Sequence, residues 1–321
     1  MFGEQRKVIM TKVFIDGSAG TTGLRINERL AGRSDIELIT LSEELRKNEE
    51  ARKEALYSAD IAFLCLPDDA AKEAAALAEG SKVKLIDTST AHRVNDSWVY
   101  GFPELKGQRD KIKESSRIAN PGCHASGFIS LAAPLVQLGV LDSGASLSCF
   151  SLTGYSGGGK KMIANYEADE RDALLDSPGL YGVGQQHKHL PEMAKISGLK
   201  NPPAFCPVVA PYYSGMLVTV PLTGSDTSAG IEEIERIYSE YYSGENSLVS
   251  FKKYSGESTL YAGSLSGSDC MEITVTGNAD RILLISRFDN LGKGASGSAI
   301  QNMNILMGVD DKVGLVCRRD G

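Results

Sequence analysis

The chain has 321 residues, too many for one small core, so two domains are expected. Hydrophobic residues make up 42% and charged residues 23%, as in ordinary soluble globular proteins. The net charge of −7, with no dense basic stretch and no apolar run of transmembrane length, argues against nucleic-acid and membrane partners.

The opening stretch 1–12 lacks the long apolar core of a secretory signal and reads as a short extension. A β-strand is expected over 12–16, then a glycine-rich turn and a helix over 24–30. Further strands are expected over 36–41, 59–66 and 83–87. Pro67-Asp68-Asp69 closes the third and starts an alanine-rich helix over 70–78. A short strand over 117–119 leads into a buried helix over 126–138, which stops at Gly139. This βαβ alternation predicts a parallel sheet with helices on both faces. The pattern then changes. Strands over 146–153, 205–209, 216–222, 247–253, 270–276 and 282–288 include several with antiparallel-type alternation. Among them lies an amphipathic helix presenting Ile231, Ile234, Ile237, Tyr238 and Tyr241, and a last helix is expected over 293–307. The expected fold class is therefore α/β: a Rossmann-type parallel-sheet domain plus an α+β catalytic domain with a mostly antiparallel sheet.

Six scattered cysteines form no CxxC pair, which points to a reducing, cytoplasmic protein rather than a disulfide scaffold. Cys65, Cys149 and Cys270 sit in apolar, strand-like runs and read as core fillers. Cys123 is different, because it follows Asn120-Pro121-Gly122 at the mouth of the buried helix. A thiol at a helix N-terminus faces free N–H groups and the positive end of the dipole, which favour the nucleophilic thiolate. The alternative is a small buried core residue.

Gly17-Ser18-Ala19-Gly20-Thr21-Thr22-Gly23 follows the first strand and opens a helix, where backbone can approach a pyrophosphate. Its G-x-x-G-x-x-G spacing is a variant of the commoner dinucleotide turn. Ser42, Arg46 and Lys47 near the end of the second strand favour NADP, while Glu43 and Glu44 leave NAD open. His187-Lys188-His189-Leu190-Pro191-Glu192 holds two of only four histidines and offers the base that a covalent thiol mechanism needs. No further His or Cys ligand lies nearby, so no metal is expected. The loop from Gly154 through Ser156 and Gly157 to Lys160 and Lys161 reads either as an anion nest or as a plain surface turn. Asn290-Leu291-Gly292-Lys293-Gly294 precedes the last helix, where small residues permit close packing or backbone contact with a cofactor.

Taken in this order, GSAGTTG, NPGCHASG, HKHLPE and DNLGKGASGSAIQNMN resemble N-acetyl-gamma-glutamyl-phosphate reductases of arginine biosynthesis, in their shorter form. The match spans nearly the whole chain. Aspartate-semialdehyde dehydrogenases share the glycine turn and the cysteine but lack the HxHxPE pattern. The resemblance implies an NADPH-dependent reduction of an acyl phosphate to an aldehyde through a cysteine thioester, with Cys123 as nucleophile. It makes His189 the preferred acid/base, with His187 in reserve, and Gly17, Gly20 and Gly23 the cofactor turn. Asn290 and Gly292 fall in a segment near the nicotinamide. Asn120, Ser156, Gly157, Lys160 and Glu192 are the expected substrate contacts. The expected division is 1–122, completed by 291–321, for the dinucleotide and 123–290 for catalysis and oligomerisation, in a dimer or tetramer. Two other readings remain: a cysteine hydrolase or acyltransferase, which leaves the glycine turn unexplained, and a non-catalytic NADP-binding redox sensor.

Overall fold

A computed structural model describes residues 10–317. Residues 1–9 of the expected extension and 318–321 of the expected last segment lie outside the described residues.

Six parallel strands form the first sheet: β1 (Thr11–Asp16), β2 (Ile36–Ile39), β3 (Ile61–Leu64), β4 (Lys84–Asp87), β5 (Val99–Tyr100) and β6 (Arg117–Ala119). Their order is β2-β1-β3-β4-β6-β5. The central strands are buried on both faces, as a parallel sheet requires, so they read as continuous apolar runs. Side chains alternate between two cores. Val13, Ile15 and Ile61 face one, and Phe14, Ala62 and Leu64 face the other. Helices α1 (Thr21–Leu30), α2 (Glu49–Ser58), α3 (Asp68–Leu77) and α4 (Gln108–Glu114) connect these strands. Helix α2 begins at Asn48, whose side chain accepts the Ala51 N–H at 2.9 Å, and Glu49 and Glu50 favour the positive end of its dipole.

Helix α5 (Cys123–Gln137) starts three residues before the sequence expectation. It is apolar on nearly every side because it is packed on every side: the second sheet lies beneath it and other helices flank it. That sheet comprises β7 (Ser148–Gly154), β8 (Gly179–Leu180), β9 (Ala204–Ala210), β10 (Met216–Thr223), β11 (Val249–Phe251), β12 (Met271–Gly277) and β13 (Arg281–Phe288). Its order is β11-β12-β13-β10-β7-β9-β8, antiparallel except for the pairs β7–β9 and β11–β12. Helices α6 (Gly159–Glu167), α7 (Leu190–Ser197) and α8 (Ile231–Tyr241) accompany it.

The last helix departs from expectation at its start. Gly292–Ser296 is a π-helical turn, and α9 (Gly297–Met307) follows. Ala299, Ile300 and Met303 of α9 join the core of the first sheet, so the chain returns to its beginning. Cys149 is buried as expected, but Cys270 is not a core residue: it lies just ahead of β12, partly exposed.

Candidate active site

The glycine turn follows β1, and Asn120-Pro121-Gly122 follows β6, so parallel pairing puts both at the carboxyl edge of the first sheet. A cleft of about 400 Å³ opens there. Thr21, Thr22, Asn120, Cys123, Ser156, Gly157, His187, His189 and Asn290 all line it.

Cys123 is the first residue of α5. Its turn is held from below. Asn120 N–H donates to the Asp87 carbonyl at 2.7 Å, and Gly122 N–H donates to Glu192 Oε1 at 2.8 Å. Gly122 is a steric requirement: a Cβ there would lie 2.5 Å from His189 Nε2 and 2.4 Å from Arg93 Nη1. Without it, imidazole and guanidinium close on the cysteine's turn. On the other side, a Cβ on Gly294 would come within 3.0 Å of Cys123 Cβ. The π-helical turn thus approaches the nucleophile through glycine.

The ionisation of this group differs from the expectation drawn from the helix N-terminus. Burial dominates and raises the Cys123 thiol above its ordinary value; the His124 amide and Arg93 pull it down, and Glu192 pushes it up. His189 is buried and its imidazole is held well below 6.5, first by burial and then by Arg93 and the neighbouring histidines. Both shifts favour thiol and neutral imidazole over an ion pair. His189 Nδ1 is buried without a hydrogen-bond partner. His187 Nδ1 accepts the His189 N–H at 3.2 Å, and the two rings are 4.7 Å apart.

Several site residues were not anticipated. Arg93 lies beyond β4 and lines the cleft, donating to the Asn120 and Thr88 carbonyls at 2.8 and 3.0 Å and to Glu192 at 3.2 Å. Its place after a parallel strand was the available signal. His124, next to the nucleophile, shares hydrogen bonds of 2.6 Å with Ser151 and 2.5 Å with Tyr181, whose ring also lines the cleft. Burial drives the His124 imidazole down to about 3, so it is neutral. Nothing in the local sequence marks Tyr181.

Three expected contacts are placed elsewhere. Glu192 is 1% exposed beneath the cleft floor, with its carboxylate engaged by Tyr100, Gly122 and Arg93. Lys160 is exposed in the first turn of α6 and does not line the cleft, whereas Lys188 does. Gly292 packs on the Ser268 carbonyl, which a Cβ would meet at 2.1 Å; Gly294 and Ala295 face the cleft instead. Asn290 is buried as a strut, with Nδ2 donating to Ser156 Oγ and Oδ1 accepting the Gly215 N–H, both at 2.9 Å.

The turn of 17–23 fits a dinucleotide. Gly17 has φ +87°, and a Cβ there would lie 2.3 Å from the Cys65 carbonyl oxygen. Gly23 packs on Gly17, where a Cβ would meet its carbonyl at 2.5 Å. Gly20 is less crowded. Ser18 and Ala19 are exposed at the tip. Thr21 Oγ1 is buried at the start of α1 with no partner, as a hydroxyl awaiting a phosphate oxygen would be. Ser42 and Arg46 lie past β2 on the same edge, exposed, with Arg46 3.4 Å from Glu43.

Fold and cleft together define a protein of the semialdehyde dehydrogenase class. Residues 12–115 match the family description "Semialdehyde dehydrogenase, NAD binding domain", and residues 123–290 match "Semialdehyde dehydrogenase, dimerisation domain". Aspartate semialdehyde dehydrogenase II from Vibrio cholerae shares the fold, with TM-score 0.71 and 18% identity over 93% of this chain and 99% of that one. Aspartate semialdehyde dehydrogenase with NADP from Candida albicans gives TM-score 0.68 and 15% identity, covering 95% and 99%. Much nearer in sequence is N-acetyl-gamma-glutamyl-phosphate reductase of Trichormus variabilis, 44% identical over 95% of this chain and 99% of its own. Its counterpart in Rhizobium meliloti is also 44% identical, over 92% and 98%. The chain belongs to the N-acetyl-gamma-glutamyl-phosphate reductase family.

Proposed function

We propose that this protein reduces N-acetyl-gamma-glutamyl phosphate to N-acetylglutamate semialdehyde and phosphate with NADPH, through a thioester on Cys123. The observation that carries the proposal is the meeting of Cys123, His189 and the start of α1 on one cleft. In this reading His189 accepts the thiol proton as the acyl phosphate arrives, and the sulfur attacks the acyl carbon. The carbon–oxygen bond to phosphate breaks, leaving a thioester that accepts hydride where a carboxylate would not. NADPH, when bound, supplies that hydride. The imidazolium of His189 gives its proton to the oxyanion formed next to it; as the carbon–sulfur bond breaks, His189 takes that proton back from the hydroxyl, the aldehyde leaves, and the proton returns to the Cys123 sulfur. The positive charge of Arg93, held under the turn, favours both anionic stages.

Thr21, Thr22 and the turn around Gly20 would hold the pyrophosphate, with Ser42 and Arg46 toward the adenosine end. Asn120, Ser156, Gly157 and Lys188 are the candidate substrate contacts. We assign the dinucleotide to residues 1–122 and 291–321, and catalysis and oligomerisation to 123–290. Phe150 and Leu283, 48% and 36% exposed, lie on one outward face of the second sheet, which suits a homo-oligomer. Among the described residues no helix is long and apolar enough to cross a membrane, and six free thiols suit a cytoplasmic setting.

Cys123→Ser is expected to keep NADPH binding, read by fluorescence titration, and to abolish phosphate-dependent NADP reduction with N-acetylglutamate semialdehyde. Substantial residual turnover, or a preference for aspartate semialdehyde, would overturn the reading.

A further inference from the structure

Cys270 and Cys317 have no part in the cleft, yet the fold brings them to one corner. Asp269 N–H donates to the Val316 carbonyl at 2.6 Å, and Val316 N–H donates back to the Asp269 carboxylate at 2.8 Å. The Ser268 hydroxyl also donates to the Val316 carbonyl, at 3.4 Å. These bonds hold the segment before β12 beside the end of the described chain. Both thiols are partly exposed and line one open cavity of about 570 Å³, with Lys312 on its wall.

We propose that Cys270 and Cys317 are a redox-sensitive dithiol that reacts with low-molecular-weight disulfides and closes to an intramolecular disulfide. The paired backbones of Asp269 and Val316 set the two cysteines that follow them beside one another on that cavity. Cys317 is held below the ordinary thiol value, first by a hydrogen bond from Cys270 and also by Lys312 and Lys293, against burial and Asp269. Cys270 is raised, first by that same hydrogen bond. Cys317 is therefore the attacking thiolate. It attacks one sulfur of the small disulfide, which expels one small thiolate and leaves a mixed disulfide on Cys317. Cys270 then loses its proton and attacks the Cys317 sulfur, which expels the second small thiolate. Two protein thiols are oxidised by two electrons, and one small disulfide is reduced to two thiols.

The bridge would act on a junction. Asp269 also pairs with Arg29 of α1 at 2.7 Å, and its Oδ1 is the atom a Cβ on Gly297 would meet at 2.3 Å. Closing the disulfide pins the carboxyl-terminal segment beside Asp269, which pairs with the cofactor helix and packs against the start of α9.

The 321-residue chain is treated with glutathione disulfide and mapped by non-reducing tryptic mass spectrometry. Peptides 254–281 and 313–318 are expected as one linked species, two hydrogens lighter than their sum. It should form equally in a Cys123→Ser background, which separates it from oxidation of the nucleophile, and disappear on reduction. Oxidation should raise the melting temperature by roughly 3 °C or more in the wild type and by nothing in Cys317→Ser. A glutathione adduct that persists on Cys317 without a linked peptide would overturn the proposal, as would linkage of either cysteine to another residue or between two chains.

Discussion

Around the nucleophile, Glu192 does the quiet positioning. One carboxylate oxygen accepts both Tyr100 hydroxyl and Gly122 amide, and the other meets Arg93, so a buried charge fixes the turn from which Cys123 projects. The same burial explains why the helix end alone does not ionise the thiol. We predict that iodoacetamide alkylation of Cys123 in the ligand-free protein keeps accelerating as pH rises past the ordinary 9.0, because the thiol is held above that value and only the thiolate reacts. A rate that levels off below neutral pH would mean that the helix end outweighs burial. His189 faces the Gly122 turn with Nε2, whereas His187 sits behind it against Phe205 and Tyr181. His189→Asn is therefore expected to lower kcat by about a hundredfold or more, and His187→Asn by less than about tenfold, in steady-state reduction assays. The opposite ranking would assign the proton to the wrong ring.

At the scale of elements, two glycine-bearing turns bring backbone to the chemistry. The π-helical turn Gly292–Ser296 fits beside α5 only because residue 294 has no side chain: a Cβ would lie 3.0 Å from Cys123 Cβ and 3.1 Å from the Asp289 carbonyl oxygen. Gly294→Ala is predicted to lower kcat at least ~10-fold while costing about 1–3 kcal/mol of stability, read by urea unfolding. Retained activity with lost stability would reduce the turn to a packing device. Elements with a strong local pattern were readable in the sequence. Strand β6 falls on the expected residues, and β13 begins within one residue of them. Helix α2 was missed because half of its ten residues are charged and it buries only Ala55 and Leu56, which leaves its Asn48 cap as the main local signal. Helix α6 was hidden behind consecutive glycines, which lower helix propensity without forbidding a helix start.

Across the whole molecule, one buried ion pair ties the two sheets together. Lys293, fully buried, donates to both oxygens of Glu104 at 2.8 Å and to Gln301 of α9 at 2.6 Å. Glu104 also accepts the Leu248 N–H ahead of β11, at 3.1 Å. Lys293→Met leaves that carboxylate buried without its cation and is expected to cost about 3–5 kcal/mol at neutral pH. Burial pushes the Glu104 carboxyl up, but Lys293 and the hydrogen bonds win and hold it below 4.5. Its folded value thus lies below its unfolded one, so the stabilisation is complete above the ordinary glutamate value and is lost as pH falls through the folded value. Urea unfolding across acid pH should show the gap between wild type and Lys293→Met narrowing; a gap that stays constant would contradict the ion-pair account.

Cys123 and the glycine turn were legible because their chemistry is local: a residue type, a turn and the start of a helix lie within a few positions. The βαβ order then implied that both meet at one sheet edge, since parallel strands share a carboxyl end. Arg93, Tyr181 and the true place of Glu192 were decided by tertiary packing alone, because loops separated by scores of residues converge there. So was the ionisation of Cys123. The sequence supplies the sulfur and the helix end, but how much water surrounds them depends on every segment folded over them, and here that loss of water outweighs the His124 and Cys123 N–H groups at the helix end.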